Sequence, residues 1–250
     1  MKVALFITCL TENYYPRVGI AVVKVLEHLG CEVAFPAAQT CCGQPMFNNG
    51  FHDDARDLAR RMIEVFTDCE TVVTPSGSCA AMVRAHYPHL FEPGSVDRRS
   101  AEALAKKTFE FVEFLTNVLH VDPVKLGVQW SGTATCHYAC HLREIGISDE
   151  AARLAKQVEG LDLKPLERAE QCCGFGGTFA VNYPQISGDM VRDKTACIRA
   201  TKANTLICNE AGCAMNLAGA MRREDVAVEV KSLAEILAEG LGLMERGPSP

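Results

Sequence analysis

No stretch of the 250 residues approaches the roughly 18 consecutive apolar residues that a bilayer crossing needs, which argues against a membrane span. The opening Met1-Lys2-Val3 leads into only a short apolar run before Cys9, without the pattern of a secretory signal, so the expected location is cytoplasmic. Basic clusters are missing as well: Lys and Arg are scattered through a chain of net charge −6, which offers nucleic acid no surface to bind. There is no low-complexity segment and no dinucleotide fingerprint, because Gly174-Phe175-Gly176-Gly177 has the wrong spacing and no acidic residue placed to read a ribose. Nicotinamide or flavin chemistry is therefore not expected, and no catalytic residue is assigned.

What the chain has in excess is cysteine. Thirteen is an odd number, several are adjacent, and a reducing compartment disfavours disulfides, so these thiols read as metal or redox groups. At 48% hydrophobic residues the chain is long enough for one large or two modest globular domains.

The cysteines repeat. Cys41-Cys42-Gly43 returns as Cys172-Cys173-Gly174, and a lone cysteine, Cys9 or Cys140, stands 32 positions before each triplet. Each half adds a late cysteine in a similar phrase, Gly77-Ser78-Cys79-Ala80 and Ala211-Gly212-Cys213-Ala214. Two four-thiolate sets follow: Cys9, Cys41, Cys42 and Cys79, then Cys140, Cys172, Cys173 and Cys213.

The coarse pattern repeats too. Val3 to Thr8 reads as a buried strand, after which Val18, Val22, Val25 and Leu29 mark a helical face stopped by Gly30. Ile147, Ala151, Leu154 and Val158 repeat that stepping before Gly160. Alternation at Cys31, Val33 and Phe35, and at Leu161 and Leu163, predicts a strand before each triplet. A helix follows each triplet, on Ala55, Leu58, Met62 and Phe66 in one half and on Ile186, Met190 and Cys197 in the other. Strands at Thr71 to Thr74 and Thr205 to Cys208 then lead to the late cysteines. The expectation is an α/β fold of two pseudo-equivalent modules, each a small parallel sheet flanked by helices. They divide after a helix at Ala101 to Val118, near Asp122-Pro123, giving modules 1–121 and 122–250. Glu92-Pro93-Gly94-Ser95 reads as a turn and Gly247-Pro248-Ser249-Pro250 as a mobile tail. The cysteines fall just after strands, and ligands of open α/β sheets gather at strand carboxyl ends, so each half-site is expected where its loops begin.

Adjacent cysteines do not easily chelate one ion, but they reach two irons of one cluster. The following glycine lets backbone approach an inorganic sulfide and donate N–H groups to it. Soft thiolates favour iron-sulfur clusters, zinc or copper(I); iron-sulfur suits the pairs best, with zinc in one half the alternative. Cys31, Cys69 and Cys197 read as small core hydrophobes. Shifted by the offset of the triplets, Cys136 falls on Leu5, a core position, whereas by the offset of the late cysteines Cys208 matches Thr74 near the site and is a candidate fifth ligand. His137 and His141 flank Cys140, and His141 is expected behind the thiolates rather than on the metal. Met46, Phe47, Phe175 and Phe179 read as walls that exclude water, and Arg143 as an ion-pair residue.

Thr40-Cys41-Cys42-Gly43-Gln44-Pro45, Pro75-Ser76-Gly77-Ser78-Cys79 and Cys172-Cys173-Gly174-Phe175-Gly176-Gly177-Thr178-Phe179 resemble, within a likeness running nearly end to end, the lactate-utilisation members of the cysteine-rich CCG-domain family. That family also includes the cysteine-rich subunit of heterodisulfide reductase and the iron-sulfur subunits of glycolate and glycerol-3-phosphate oxidation systems. The resemblance implies an iron-sulfur electron-transfer subunit working with two partner subunits, one a ferredoxin-like iron-sulfur protein, to oxidise L-lactate to pyruvate. In the heterodisulfide reductase form each repeat ends Cys-x-x-Cys, and five cysteines hold a noncubane cluster that performs disulfide chemistry. This chain has Ser76 and Glu210 at the first cysteine of that pair, so an ordinary 4Fe-4S cluster in each half is the simpler expectation. The phrase Asn209-Glu210-Ala211-Gly212-Cys213 also departs from the Asp-x-Gly-Cys of the lactate-utilisation form, leaving Cys208 as a compensating ligand. The rivals are a zinc-bound scaffold and a catalytic subunit like that of heterodisulfide reductase.

Overall fold

Short apolar segments alternating with helices build two sheets, and every strand pairing within them is parallel. In the first, β1 (Lys2–Leu5), β2 (Glu32–Ala34), β3 (Val72–Thr74) and β4 (Thr108–Glu110) lie in the order β2-β1-β3-β4. In the second, β5 (Gln129–Cys136), β6 (Glu159–Lys164), β7 (Thr205–Ile207) and β8 (Glu229–Lys231) repeat that order as β6-β5-β7-β8. The fold is thus the α/β repeat that the sequence predicts. The computed structural model describes residues 1–247. Among these, no helix is long and apolar enough to cross a membrane.

The first helical face forms as expected. Helix Pro16–His28 buries Val18, Val22 and Val25, and the chain leaves it through Gly30 at φ +80°, a conformation costly for residues with a Cβ. Helix His52–Phe66 buries Ala55, Met62 and Phe66. Full burial of a side chain such as Phe66 contributes about 1.5–3 kcal/mol.

Several local expectations change. The helix predicted over Ala101 to Val118 is interrupted: helix Val96–Lys106 ends, Thr108-Phe109-Glu110 pairs with β3, and helical turns resume at Phe111 behind a capping box of Glu110 and Glu113. The second-half helix shrinks to Glu150–Ala155, and Gly160 lies inside β6 rather than ending a helix; Ile147, Leu154 and Val158 still point into the core. On helix Pro184–Ala200 the buried stripe is Ser187, Val191, Lys194 and Ile198, while Ile186 is exposed. Phe35 is exposed as well. Of the expected tail, residues 248–250 lie outside the described residues, whereas Gly247 is tied down between Lys231 Nζ and Glu239 Oε1.

The two halves share a core. Val3, Leu5, Val22 and Leu26 pack in one cluster with Val128, Trp130, Leu233 and Leu237. Helix Leu233–Gly240 lies against helix Pro16–His28, pinned by Arg17 to Glu239 at 3.3 Å and by Lys24 Nζ to the Leu243 carbonyl at 2.7 Å. This clasp holds the sheets so that the loops leaving β1, β3, β5 and β7 converge on one chamber.

Candidate metal centre

Each thiol of the two predicted sets is presented by the start of a helix or by a glycine turn. Cys9 begins helix Cys9–Tyr14, whose N-cap is Thr8. Ser76 caps helix Gly77–Ala81 by accepting from the Cys79 N–H at 3.2 Å, which fixes Cys79 in the first turn. Cys213 holds the corresponding place in helix Ala211–Arg223. The two triplets turn alike, with Gly43 at φ +84° and Gly174 at φ +82°. Each glycine N–H points back at the first sulfur of its pair, Gly43 N to Cys41 Sγ at 3.5 Å and Gly174 N to Cys172 Sγ at 3.4 Å. Gly174 is further required by space, since a Cβ there would stand 2.9 Å from the Ser187 carbonyl oxygen. The carbonyl of the second cysteine is pinned in both halves, by Tyr87 Oη on Cys42 and by Asn216 Nδ2 on Cys173, each at 2.8 Å.

All eight cysteines line a single cavity of about 320 Å³, together with Leu10, His141, Phe175, Ser76 and Glu210. The sequence points to two separate half-sites; the structure turns them toward a common chamber. Within the first set Cys9 and Cys41 Sγ are 3.9 Å apart and Cys42 and Cys79 Sγ 3.3 Å. Within the second, Cys173 and Cys213 Sγ are 2.8 Å apart.

Such crowding controls protonation. Hydrogen bonds from the Cys42 and Cys9 thiols, helped by the Gly43 N–H, bring Cys41 down to about 3. Bonds from Cys140 and Cys173, again with a glycine N–H, bring Cys172 down to about 2. Their donors Cys9, Cys42, Cys140 and Cys173 are pushed up, first by giving those bonds and then by burial. One thiolate per set is thus favoured, and further ionisation needs a cation among the sulfurs. In number and softness these donors fit a thiophilic metal or an iron-sulfur cluster, around which the sulfurs would spread apart.

The remaining residues sort differently from expectation in places. Cys208 lies outside the chamber lining and donates to the Glu210 carbonyl at 3.5 Å. Cys136 faces a different cavity, and burial pushes it up to about 12. Cys31 is core; Cys69 packs partly buried; Cys197 is buried but also accepts from Arg168 at 3.2 Å. Of the four predicted wall residues only Phe175 lines the chamber: Phe47 stacks on His52 and packs tilted against His86, Phe179 packs tilted against Tyr183, and Met46 is exposed. Arg143 reaches the carbonyls of Cys140 and Glu170 instead of a carboxylate. His141 Nδ1 lies 3.7 Å from Cys140 Sγ.

Glu110 escapes the sequence reading, and His137, read there as flanking Cys140, takes a buried place that the sequence does not show. Glu110, the last residue of β4, points into the interior, where burial pushes its carboxyl up to about 8 against the pull of two backbone N–H groups. His137 is buried against the second set, held neutral with a value lowered to about 3 by burial and by the Lys194 cation. Neither stands in a repeated motif: the repeat offset puts Phe6 opposite His137, so only the fold reveals its place.

The cysteine-rich domain family, CCG, matches residues 3–84 and 134–218. A lactate utilization protein A from Bacillus licheniformis is 47% identical over 95% of this chain and 99% of its own length. One from Bacillus velezensis is 48% identical over the same shares. Among solved structures, a putative Asp/Glu racemase from Yersinia pestis overlaps 96% of this chain and 97% of its own at 12% identity and a TM-score of 0.38, too loose a likeness to bear on function.

Proposed function

The chain belongs to the cysteine-rich CCG family, and on that premise we propose that it is the iron-sulfur electron-transfer subunit of a cytoplasmic complex that oxidises L-lactate to pyruvate. Two modules, 1–121 and 122–250, each hold one 4Fe-4S cluster. Cys9, Cys41, Cys42 and Cys79 are the ligands of the first, and Cys140, Cys172, Cys173 and Cys213 those of the second. The observation that carries this reading is the gathering of these eight sulfurs, in two sets, around one chamber.

When bound, such a cluster supplies a one-electron couple. The chain's own residues do the rest. The thiolates would anchor the irons, and the Gly43 and Gly174 N–H groups, which lie against Cys41 Sγ and Cys172 Sγ, would tune the potential through those hydrogen bonds. Leu10, Pro45 and Phe175 limit water in the chamber. Hydroxy-acid oxidation removes two electrons together and calls for an organic cofactor or another centre, which partner subunits supply, among them a ferredoxin-like iron-sulfur protein. The names of the relatives support lactate as the donor.

The experiment is lactate-dependent dye reduction. The purified chain alone shows none, and mixing it with its partner subunits gives reduction that depends on Cys41 and Cys42. Turnover by the isolated chain overturns the relay role, and a mixture indifferent to Cys41 and Cys42 leaves only a scaffold.

A further inference from the structure

His137 directly follows β5, and its backbone N–H donates to the Ile207 carbonyl at 2.9 Å, which fixes it at the carboxyl end of the second sheet. Its ring is 5% exposed, and neither Nδ1 nor Nε2 has a hydrogen-bond partner among the described residues. One ring nitrogen, Cys173 Sγ and Cys213 Sγ all lie within 4.8 Å of one another. The ring forms no hydrogen bond to either sulfur, and with all three atoms within 4.8 Å of one another a small side-chain adjustment brings them to the roughly 4.4 Å or less that one metal atom spans between nitrogen at about 2.0–2.1 Å and sulfur at about 2.3 Å. The same residue borders a second cavity of about 400 Å³, shared with Glu110 and Tyr138, so a ring bound on one side has room for a partner on the other.

Other donors are spent. Glu210, which stands where the related reductases carry an additional cysteine, gives its Oε2 to Ser76 Oγ and the Ser78 N–H, each at 2.9 Å. Cys208 is turned to the Glu210 carbonyl. In the first module the position of His137 is Phe6, packed against Phe66 with ring centroids 5.8 Å apart, which offers a metal nothing. We propose that His137 is a fifth protein ligand of the second metal centre, adding nitrogen to an iron that Cys173 or Cys213 would hold, so that the two centres are chemically unequal: thiolate only in the first module, thiolate and imidazole in the second. This rests on the reading that the thiolates hold iron-sulfur clusters.

Pulsed paramagnetic resonance on anaerobically purified, dithionite-reduced protein reads the ligand directly, with iron and acid-labile sulfide measured on the same sample. The expected result is a nitrogen coupling on one of two cluster signals that changes when the protein is grown with 15N-histidine. It disappears in His137→Phe, the residue type of the first module, and in His137→Gln, and it persists in His141→Phe. Clusters present with no histidine coupling in the labelled wild-type protein overturn the ligand assignment alone, whether or not the variants fold. So does a coupling that vanishes in His141→Phe. Protein without sulfide overturns both this assignment and the iron-sulfur reading.

Discussion

Ser76 Oγ donates to Glu210 Oε2 at 2.9 Å, joining the two positions at which this chain departs from the Cys-x-x-Cys pattern of the related reductases. The same carboxylate oxygen accepts the Ser78 N–H at 2.9 Å, so a glutamate of the second module caps a helix of the first beside both cysteine sets. The substitutions at 76 and 210 therefore act as a pair, building a bridge between modules where cysteines would otherwise supply sulfur.

Glu210→Ala strands the Ser76 hydroxyl and the Ser78 N–H in a buried place, and hydrogen bonds to a charged group are worth about 1.5–3 kcal/mol each. We expect a loss of that order in urea unfolding. Once Glu210 is gone, Ser76→Ala costs only the loss of its cap on the Cys79 N–H, less than it costs in the wild type, since the bridging partners act together. Additive losses in the double mutant contradict the bridge.

The cysteines divide. Serine at Cys9, Cys41, Cys42 or Cys79 weakens one cluster and spares the other; serine at Cys140, Cys172, Cys173 or Cys213 does the reverse. Cys31→Ser places a hydroxyl in the shared core and costs about 1–3 kcal/mol without loss of metal. Cys197→Ser costs less, because Arg168 still finds an acceptor. Visible absorbance per folded chain checks each variant, and loss of a cluster in folded Cys31→Ser or Cys197→Ser shows the sets to be wrongly drawn.

Much of this architecture is readable from the chain because both halves carry it. The helix on Val18, Val22 and Val25, the strands before and after each triplet, and the paired cysteine spacing are local patterns repeated, and each repeat corroborates the other. The edge strands β4 and β8 are not legible: three residues each, Thr108-Phe109-Glu110 and Glu229-Val230-Lys231, carry too little periodicity to stand against the helices beside them. The convergence on one chamber is likewise invisible, since it depends on Leu233–Gly240 crossing to Pro16–His28 over more than two hundred positions of chain. Ser76 and Glu210 look like losses in sequence and become partners only in space.

That crossing centres on Glu239, which accepts from Lys231 Nζ at 2.9 Å, Trp130 Nε1 at 2.9 Å and Arg17 at 3.3 Å. Lys231 is fully buried, so removing its carboxylate leaves a charge poorly compensated; Glu229 at 3.2 Å is half-exposed and cannot replace it fully. Glu239→Ala should cost about 3–5 kcal/mol, and Glu239→Gln, which keeps an acceptor, less. A urea midpoint unchanged in Glu239→Ala contradicts the clasp.

Glu110 gives stability a pH dependence of known sign. Burial raises its carboxyl from 4.5 to about 8, so between these values the folded chain holds a proton that the unfolded chain has released. Its contribution is complete below about 4.5 and is lost as pH rises toward 8, at up to about 1.4 kcal/mol per pH unit. Glu110→Gln keeps an acceptor for the Val112 and Glu113 N–H groups and cannot ionise. The variant should gain on the wild type steadily across that window when urea stability is compared at each pH, and parallel profiles contradict it.

Iron and acid-labile sulfide, measured per chain in protein purified without oxygen, test the two-cluster account most directly. Eight thiolates in two sets predict near-equal amounts, about eight of each. Two zinc ions per chain with no sulfide, persisting after reconstitution with iron and sulfide, would contradict it.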